Sequence, residues 1–276
     1  MPLTNTLTKL IGKAVLFCTV FTLLFFLLSF LKPLFPQPWE RLTHGVIGTV
    51  AALITTGLFL KYDKISFSQV GLAYRPTTLR NFLPGLLAGI LIMGLLSALV
   101  ITGSGFVVTA NSKSSVASFL VLSLPLLLLA YMEELAFRGY PLVLLKDRAG
   151  TRNTLLITTL LFALYHVANG WSLQSALLGP GAWGILFGLA AMFSKGISMP
   201  TGLHYGVNLT TAAFGINDSS FNVWILRQGN GASLETYQSS AREVLLPQLG
   251  ILLLALLLME WYVRKKKVQP ASTTRS

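Results

Sequence analysis

The stretch SFLVLSLPLLLLAYMEELAFRGY, residues 118–140, is the part of the sequence that decides the fold. It begins with fifteen uncharged residues and continues as largely apolar sequence to Lys146, interrupted by Glu133, Glu134 and Arg138. A helix needs about 20 predominantly apolar residues to cross the hydrocarbon core of a bilayer. The stretch therefore predicts a membrane-spanning helix with two adjacent carboxyl groups inside the membrane.

The composition of the whole chain also indicates a membrane protein. Of its 276 residues, 53% are hydrophobic and only 11% are charged, and the mean hydropathy is +0.68. Soluble domains carry about a quarter charged residues. The net charge of +12 is spread over short loops and forms no single patch, which is typical of a topology signal and not of a nucleic-acid partner.

Apolar runs along the chain predict an all-α fold, a bundle of about eight transmembrane helices. The candidate spans lie near residues 11–31, 42–60, 82–102, 116–145, 153–168, 175–194, 199–215 and 244–263. Glycine, proline and polar residues interrupt the last four, which membrane helices tolerate when neighbours satisfy the freed backbone groups. The short 199–215 segment could be partly re-entrant.

The distribution of basic residues predicts the orientation. With a cytoplasmic N-terminus and eight spans, fifteen Lys and Arg residues fall inside and five outside. The positive-inside rule then places both termini in the cytoplasm. A multi-pass protein of a bacterial plasma membrane is expected, with a chloroplast or endoplasmic reticulum membrane as the alternative.

Three regions are predicted along the chain. Residues 1–114 hold three N-terminal spans, and residues 115–215 form a core region that contains the candidate functional residues described below. Residues 216–276 comprise an external loop, the final span and a basic cytoplasmic tail. The basic cluster after Trp261 is interpreted as an interfacial anchor, with recognition of an anionic lipid as the alternative.

The carboxyl groups inside the predicted span are candidate functional groups. A charge at the bilayer centre costs about 2.5–3.5 kcal/mol, so such residues are functional candidates by default. Arg138 follows Glu134 by four residues, which places both on one helical face within pairing distance. Glu133 then stays free to act as a general base. The alternative is a structural ion pair that locks the bundle.

Two histidines and an asparagine lie within other predicted spans. Glu133 and His166 each lie thirteen residues from a short charged loop, so both are expected about 20 Å from it. Asn208 follows His204 by four residues and shares its face. Its amide could donate to an oxyanion, or could form an interhelical hydrogen bond. Phe162, one turn before His166, could exclude water from the imidazole or be core.

Whether a metal takes part is left open by the residues. Glu133, His166 and His204 could form a two-histidine, one-carboxylate zinc site with a bound water. Neither histidine belongs to an HExxH pair. The sequence requires no cofactor, since a water activated by a glutamate needs no ion, and zinc stays an alternative.

The order of these motifs resembles a known family. Glu133 to Arg138 read EExxxR, Phe162 to His166 read FxxxH, and His204 to Asn208 read HxxxN. On successive membrane segments they resemble the CPBP intramembrane proteases, which comprise the CAAX prenyl endopeptidases, the bacteriocin-processing enzymes and the related Abi proteins. The resemblance covers residues 115–215, about a third of the chain.

The resemblance implies a helical bundle with a cavity, and it implies roles for the site residues. Glu133 and His166 would activate a water that attacks a peptide carbonyl. His204 and Asn208 would stabilise the oxyanion. Glu134 and Arg138, with Phe162, would support the site. The family is commonly called metal-dependent.

Three functions are compatible with these residues. The first is an intramembrane endopeptidase acting on a membrane-associated peptide or protein. The second is a proton-coupled transporter, since buried Glu, Arg and His also build proton relays. The acids cluster at one level, however, and no repeat of spans is visible. The third is a catalytically silent immunity or scaffold protein of the same fold. Neither prenyl specificity nor the oligomeric state can be read from the sequence.

Overall fold

The computed structural model describes residues 2–216, 221–228 and 241–268 and shows a bundle of eight helical segments. Some segments consist of shorter helices in series, so eleven helices are numbered here. They are α1 Pro2–Ser29, α2 Glu40–Asp63, α3 Thr77–Gly103, α4 Val116–Leu122, α5 Leu124–Glu134, α6 Tyr140–Lys146, α7 Gly150–Ala168, α8 Leu173–Ala176, α9 Ala182–Ser194, α10 Ser198–Ala213 and α11 Ala241–Val268. The predicted helical-bundle fold is confirmed.

Six of the segments are long and apolar enough to cross a membrane. They are Thr6–Leu34, Gln37–Asp63, Thr77–Gly103, Val116–Lys146, Leu173–Ser194 and Leu245–Lys266. The other two predicted spans are present as the helices α7 and α10. The 16 residues of α10 are fewer than a crossing needs. The first turn of α7 contains Arg152 and Asn153, which reduce its hydropathy.

Two of the long segments contain π-helical turns. One turn, Leu135–Gly139, joins α5 to α6, and the other, Leu177–Gly181, joins α8 to α9. Pro180 lies inside the second turn, and Pro141 follows the first. A proline lacks the backbone N–H and clashes with the preceding helical turn, so the regular α pattern cannot continue through it. Such turns are frequent at functional sites.

A two-stranded sheet was not predicted, but it is small and leaves the all-α fold class unchanged. The strands β1 (Phe106–Ala110) and β2 (Trp224–Gln228) pair antiparallel. The two strands come from loops far apart in sequence. No hairpin turn connects them, so the sequence carries no local signal of their pairing. β2 lies in the stretch 216–243 that was predicted as an external loop. Residues 217–220 and 229–240 of that stretch lie outside the described residues.

Glycines allow α3 and α10 to pack with their backbones in contact. A Cβ atom on Gly89 would lie 2.2 Å from the carbonyl oxygen of Leu203, and one on Gly206 would lie 2.4 Å from that of Leu86. A Cβ atom on Gly85 or on Gly202 would also lie 2.2 Å from a carbonyl oxygen of the opposite helix. Small residues four apart permit this close approach of membrane helices. The contact fixes α10 beside α3.

The N-terminal helices α1 and α2 pack against the chain from α5 to α6. Gly48 of α2 leaves room for the side chain of Met132, which a Cβ atom would displace. Near the other end of α2, Asp63 forms an ion pair with Lys13 of α1 and accepts a hydrogen bond of 2.6 Å from the Tyr140 hydroxyl. The ring of Phe17 stacks on Tyr140 at 5.0 Å. The first two helices therefore form one wall of the core.

We expect Gly89→Ala to destabilise the protein, because the new methyl group would force the α3 and α10 backbones apart. Overpacking of this kind costs about 1–3 kcal/mol. The matched control is Gly94→Ala on the same helix, where a Cβ atom meets nothing within 4 Å. Thermal unfolding of the purified protein in detergent measures both variants. Equal unfolding temperatures for the two would contradict the close contact.

Candidate active site

A buried ion pair lies at the centre of the candidate site. Arg138 Nη1 is 3.2 Å from Glu134 Oε1, and both side chains are fully buried. The pairing predicted from their spacing is therefore present. Arg138 lies in the π-helical turn that begins directly after Glu134.

The guanidinium of Arg138 is also held by α7 and α9. Its Nη2 donates a hydrogen bond of 3.2 Å to the carbonyl oxygen of Gly184. The charged group lies 4.2 Å from the ring centre of Phe162 and 5.3 Å from that of Phe187. A cation over an aromatic face is attracted by the electrons of the ring, most strongly where water is excluded. These contacts fix the arginine, and with it the carboxylate of Glu134.

His204 of α10 contacts both glutamates. Its Nδ1 lies 2.9 Å from Glu134 Oε1, and its Nε2 lies 3.7 Å from Glu133 Oε2. The imidazole stacks on Phe187 with the ring centres 4.4 Å apart. A carboxylate paired with an arginine accepts hydrogen bonds only, so we assign a proton to Nδ1 of His204. Nε2 is then left facing Glu133.

The two adjacent glutamates lie in different environments. The Glu134 side chain is 0% exposed, whereas the Glu133 side chain is 13% exposed. The 3.7 Å from Glu133 to His204 is longer than a hydrogen bond. One water molecule could contact both groups at this separation. Glu134 is thus held in place, and Glu133 keeps a carboxylate that can accept a proton.

His166 of α7 adjoins this cluster through an aromatic ring. Its Nδ1 is 2.9 Å from the backbone oxygen of Phe162, which can only accept, so Nδ1 carries the proton. The rings of His166 and His204 lie 4.7 and 6.3 Å from Phe162 and almost perpendicular to it. Trp171 lies on another side of His166 at 5.5 Å. Phe162 therefore contacts both histidines, and no hydrogen bond or ion pair joins His166 to either glutamate among the described residues.

Asn208 lies one helical turn after His204 on α10. Its side chain is half-buried. It forms no hydrogen bond with any of the residues that the structure describes. The amide can therefore donate to a group that enters the site.

The predicted zinc ligands do not fit a preformed three-ligand site. Among the described residues, no group of three His, Cys, Asp or Glu side chains lies close enough together to hold an ion. Nδ1 of His204 is bonded to Glu134, and Nδ1 of His166 is bonded to a backbone carbonyl. On each of the two imidazoles, only the Nε2 atom is left to bind a metal. The mechanism proposed for this site does not use a metal, and zinc binding stays a prediction.

Sequence reasoning missed three residues of the site. Gly184 accepts the hydrogen bond from Arg138, and a Cβ atom there would lie 3.2 Å from Arg138 Nη2. Phe187 packs against both Arg138 and His204. The spacing of Gly184, Phe187 and Gly188 on one apolar helix could have indicated a face of close contact. Nothing in the sequence marked Trp171.

A comparison with protein families supports the resemblance drawn from the motifs. Residues 114–210 match the model of a family described as type II CAAX prenyl endopeptidase Rce1-like. The matched segment covers about a third of the chain and contains every residue of the cluster described above. The comparison with curated proteins found no match. The resemblance to the CPBP proteases is thereby confirmed over this segment.

We expect Arg138→Met to destabilise the protein strongly, because it leaves the carboxylate of Glu134 buried without a cation. Removing one partner of a buried ion pair costs about 3–5 kcal/mol. The matched control is Arg152→Met, which breaks the exposed Arg152–Glu260 pair and should change stability far less. Thermal unfolding in detergent compares them. A small and equal effect of both would show that the Glu134–Arg138 pair does not hold the core together.

Proposed function

We propose that this protein is an intramembrane endopeptidase of the CAAX type that hydrolyses a peptide bond of a membrane-associated substrate. One observation carries the proposal. Glu133 and Glu134 converge on the imidazole of His204 inside the segment that matches the CAAX endopeptidase family. A general base, an oriented imidazole and a free amide donor are the groups that hydrolysis by an activated water requires.

In the proposed mechanism, Glu133 acts as the general base. A water between Glu133 and His204 loses a proton to the Glu133 carboxylate while its oxygen attacks the carbonyl carbon of the substrate. The carbonyl oxygen becomes an oxyanion. Glu133 then returns the proton to the amide nitrogen as the carbon–nitrogen bond breaks. The products are a carboxylic acid and an amine, and no covalent enzyme intermediate is formed.

Glu134 and Arg138 act as positioning residues in this scheme. The Glu134 carboxylate accepts from Nδ1 of His204, which fixes the orientation of the imidazole. A carboxylate–histidine contact of this kind also fixes the tautomer. Arg138 neutralises Glu134, so Glu133 is left as the carboxylate of the pair that can exchange a proton.

Asn208 is assigned to stabilisation of the developing charge, and His204 joins it when Nε2 also carries a proton, because its Nδ1 donates to Glu134. An amide or imidazole donor placed near an oxyanion lowers the barrier, and removing one such donor typically costs about 100- to 1,000-fold in kcat. Asn208 has a half-buried amide on the same helical face as His204. Following the resemblance, His166 contributes a second imidazole to the activation of the water.

The location of the site among apolar helices indicates the class of substrate. Six helical segments are apolar enough to cross a membrane, which makes this an integral membrane protein. The site lies between helices of that bundle, so a membrane-associated peptide or protein is the proposed partner. The proposal does not extend to a prenylated tail. The orientation with both termini in the cytoplasm stays a prediction of the positive-inside rule.

We expect Glu133→Gln to abolish peptide cleavage while leaving the fold intact, because the amide is isosteric but cannot accept the proton from water. Loss of a general base reduces the rate by about 100- to 10,000-fold. His166→Ala should reduce cleavage as well. The matched control is His44→Ala, since His44 contacts Lys32 outside the site. Cleavage of candidate membrane peptides in proteoliposomes measures all three.

Two outcomes would refute this assignment. Cleavage unchanged in both Glu133→Gln and His166→Ala would remove these residues from the mechanism. Absence of cleavage in the parent, together with a proton flux that the same substitutions abolish, would favour the transporter. Circular dichroism and unfolding temperature serve to confirm that each variant is folded.

Chelation tests the role of a metal separately. We expect cleavage to survive exhaustive chelation, because the residues form no three-ligand site and Glu133 can activate water by itself. Metal analysis of the chelated sample must accompany the assay. Loss of cleavage that only added zinc restores would establish the zinc-dependent alternative.

A further inference from the structure

A cavity lined by lysines lies at one end of the bundle. Its volume is about 350 Å³, and Lys146, Lys195 and Lys266 contribute to its wall. Among the described residues that line it, Asp147 is the only acidic one. The side chain of none of the three lysines forms an ion pair or hydrogen bond with any of the described residues. Three ammonium groups around one cavity repel each other unless an anion lies between them.

The position of the lysines places this cavity at the membrane surface. Three of the apolar segments end there, at Lys146, at Ser194 immediately before Lys195, and at Lys266. Lysines at the ends of membrane helices lie at the level of the lipid headgroups. The cavity therefore opens where phospholipid phosphates are concentrated, on the side predicted to be cytoplasmic.

The N-terminus of α7 adds a second set of donors. An adjoining cavity of about 400 Å³ shares Lys146, Thr151 and Lys266 with the first and is lined by residues 150–153 of the first turn of α7. The residue before this helix, Ala149, provides no side-chain cap. The amide groups of a first helical turn carry partial positive charge and bind phosphate readily. The lysines and the helix end thus favour the same kind of ligand.

The residues that line the cavity favour a lipid over a free anion as the ligand. Apolar side chains line it beside the lysines, among them Leu142, Val143 and Met192. Arg138 also borders it, although its side chain is fully buried and paired with Glu134. A free phosphate ion gains nothing from apolar walls. A phospholipid presents a phosphate and hydrocarbon together, and it matches both parts of the surface.

We propose that this cavity binds the phosphate headgroup of an anionic phospholipid. Lys146, Lys195 and Lys266 contact the phosphate, the first turn of α7 donates from its backbone, and the apolar wall contacts the glycerol and the upper acyl chain. The site is distinct from the proposed catalytic centre. It gives the basic end of α11 a binding role in addition to that of an anchor.

The test compares two triple variants of the full-length protein in detergent. The first is K146Q/K195Q/K266Q. The control is K61Q/K64Q/K265Q, which removes the same charge from exposed lysines that line neither cavity. The two sets are closely matched, because Lys64 and Lys195 both have positive φ angles, and Lys265 directly precedes Lys266. Titration with short-chain phosphatidylglycerol, followed by native mass spectrometry, measures binding without any activity assay.

We expect the first variant to bind phosphatidylglycerol at least about tenfold more weakly than the parent, and the control within about twofold of it. Phosphatidylcholine should bind the parent weakly. Equal losses in both variants would overturn the site in favour of general surface charge. Displacement of the lipid by an equimolar amount of inorganic phosphate would contradict a lipid ligand and would indicate a site for a free anion.

A single substitution tests the same proposal if the triple variant fails to fold. Thr151→Asp places a carboxylate in the first turn of α7, where a negative charge is favourable for the helix. The carboxylate should occupy the position of the phosphate and reduce phosphatidylglycerol binding by a similar factor. Unchanged binding in Thr151→Asp would contradict the proposal. Cleavage activity does not enter either measurement, so the catalytic proposal and this one can fail independently.

Discussion

The carboxylate of Glu134 must be neutralised inside the bundle, and much of the surrounding structure follows from this requirement. Transfer of an unpaired charge into such an interior is prohibitively costly. Arg138 supplies the opposite charge, and His204 supplies a hydrogen bond. Because Arg138 also donates to Gly184, the pair connects the α5–α6 segment to α9 and α10. A single buried charge thus links three parts of the chain that lie far apart in sequence.

Close helix contacts bring these groups into register. The glycines of α3 and α10 allow backbone contact, which fixes the helix that carries His204. Gly184 leaves space for the guanidinium of Arg138, and a larger residue would press on it. On the other side, α1 and α2 pack against α5 and α6, with Asp63 joined to both Lys13 and Tyr140. The N-terminal helices therefore contribute to the support of the glutamate-bearing segment.

Two adjacent glutamates acquire different properties from their surroundings. Glu134 is enclosed and shares its oxygen with a guanidinium and an imidazole, whereas Glu133 keeps partial exposure and forms no ion pair with an arginine of the described residues. Arg138 separates two regions of the molecule. It contacts the candidate active site through Glu134, and the same residue also borders the lysine-rich cavity. The proposed catalytic chemistry and the proposed lipid site thus meet at one arginine.

The sequence by itself determined that this is a helical membrane protein, because apolar runs of sufficient length have no other stable form in a bilayer. It also indicated the Glu134–Arg138 pair, since a spacing of four residues brings two side chains to one helical face. Only the tertiary structure decided which carboxylate His204 contacts, the place of Gly184 and Phe187, the position of His204 beside Phe162, and the pairing of β1 with β2. These contacts join residues that are distant along the chain. They depend on how helices rotate and approach one another, and local periodicity carries no information about that.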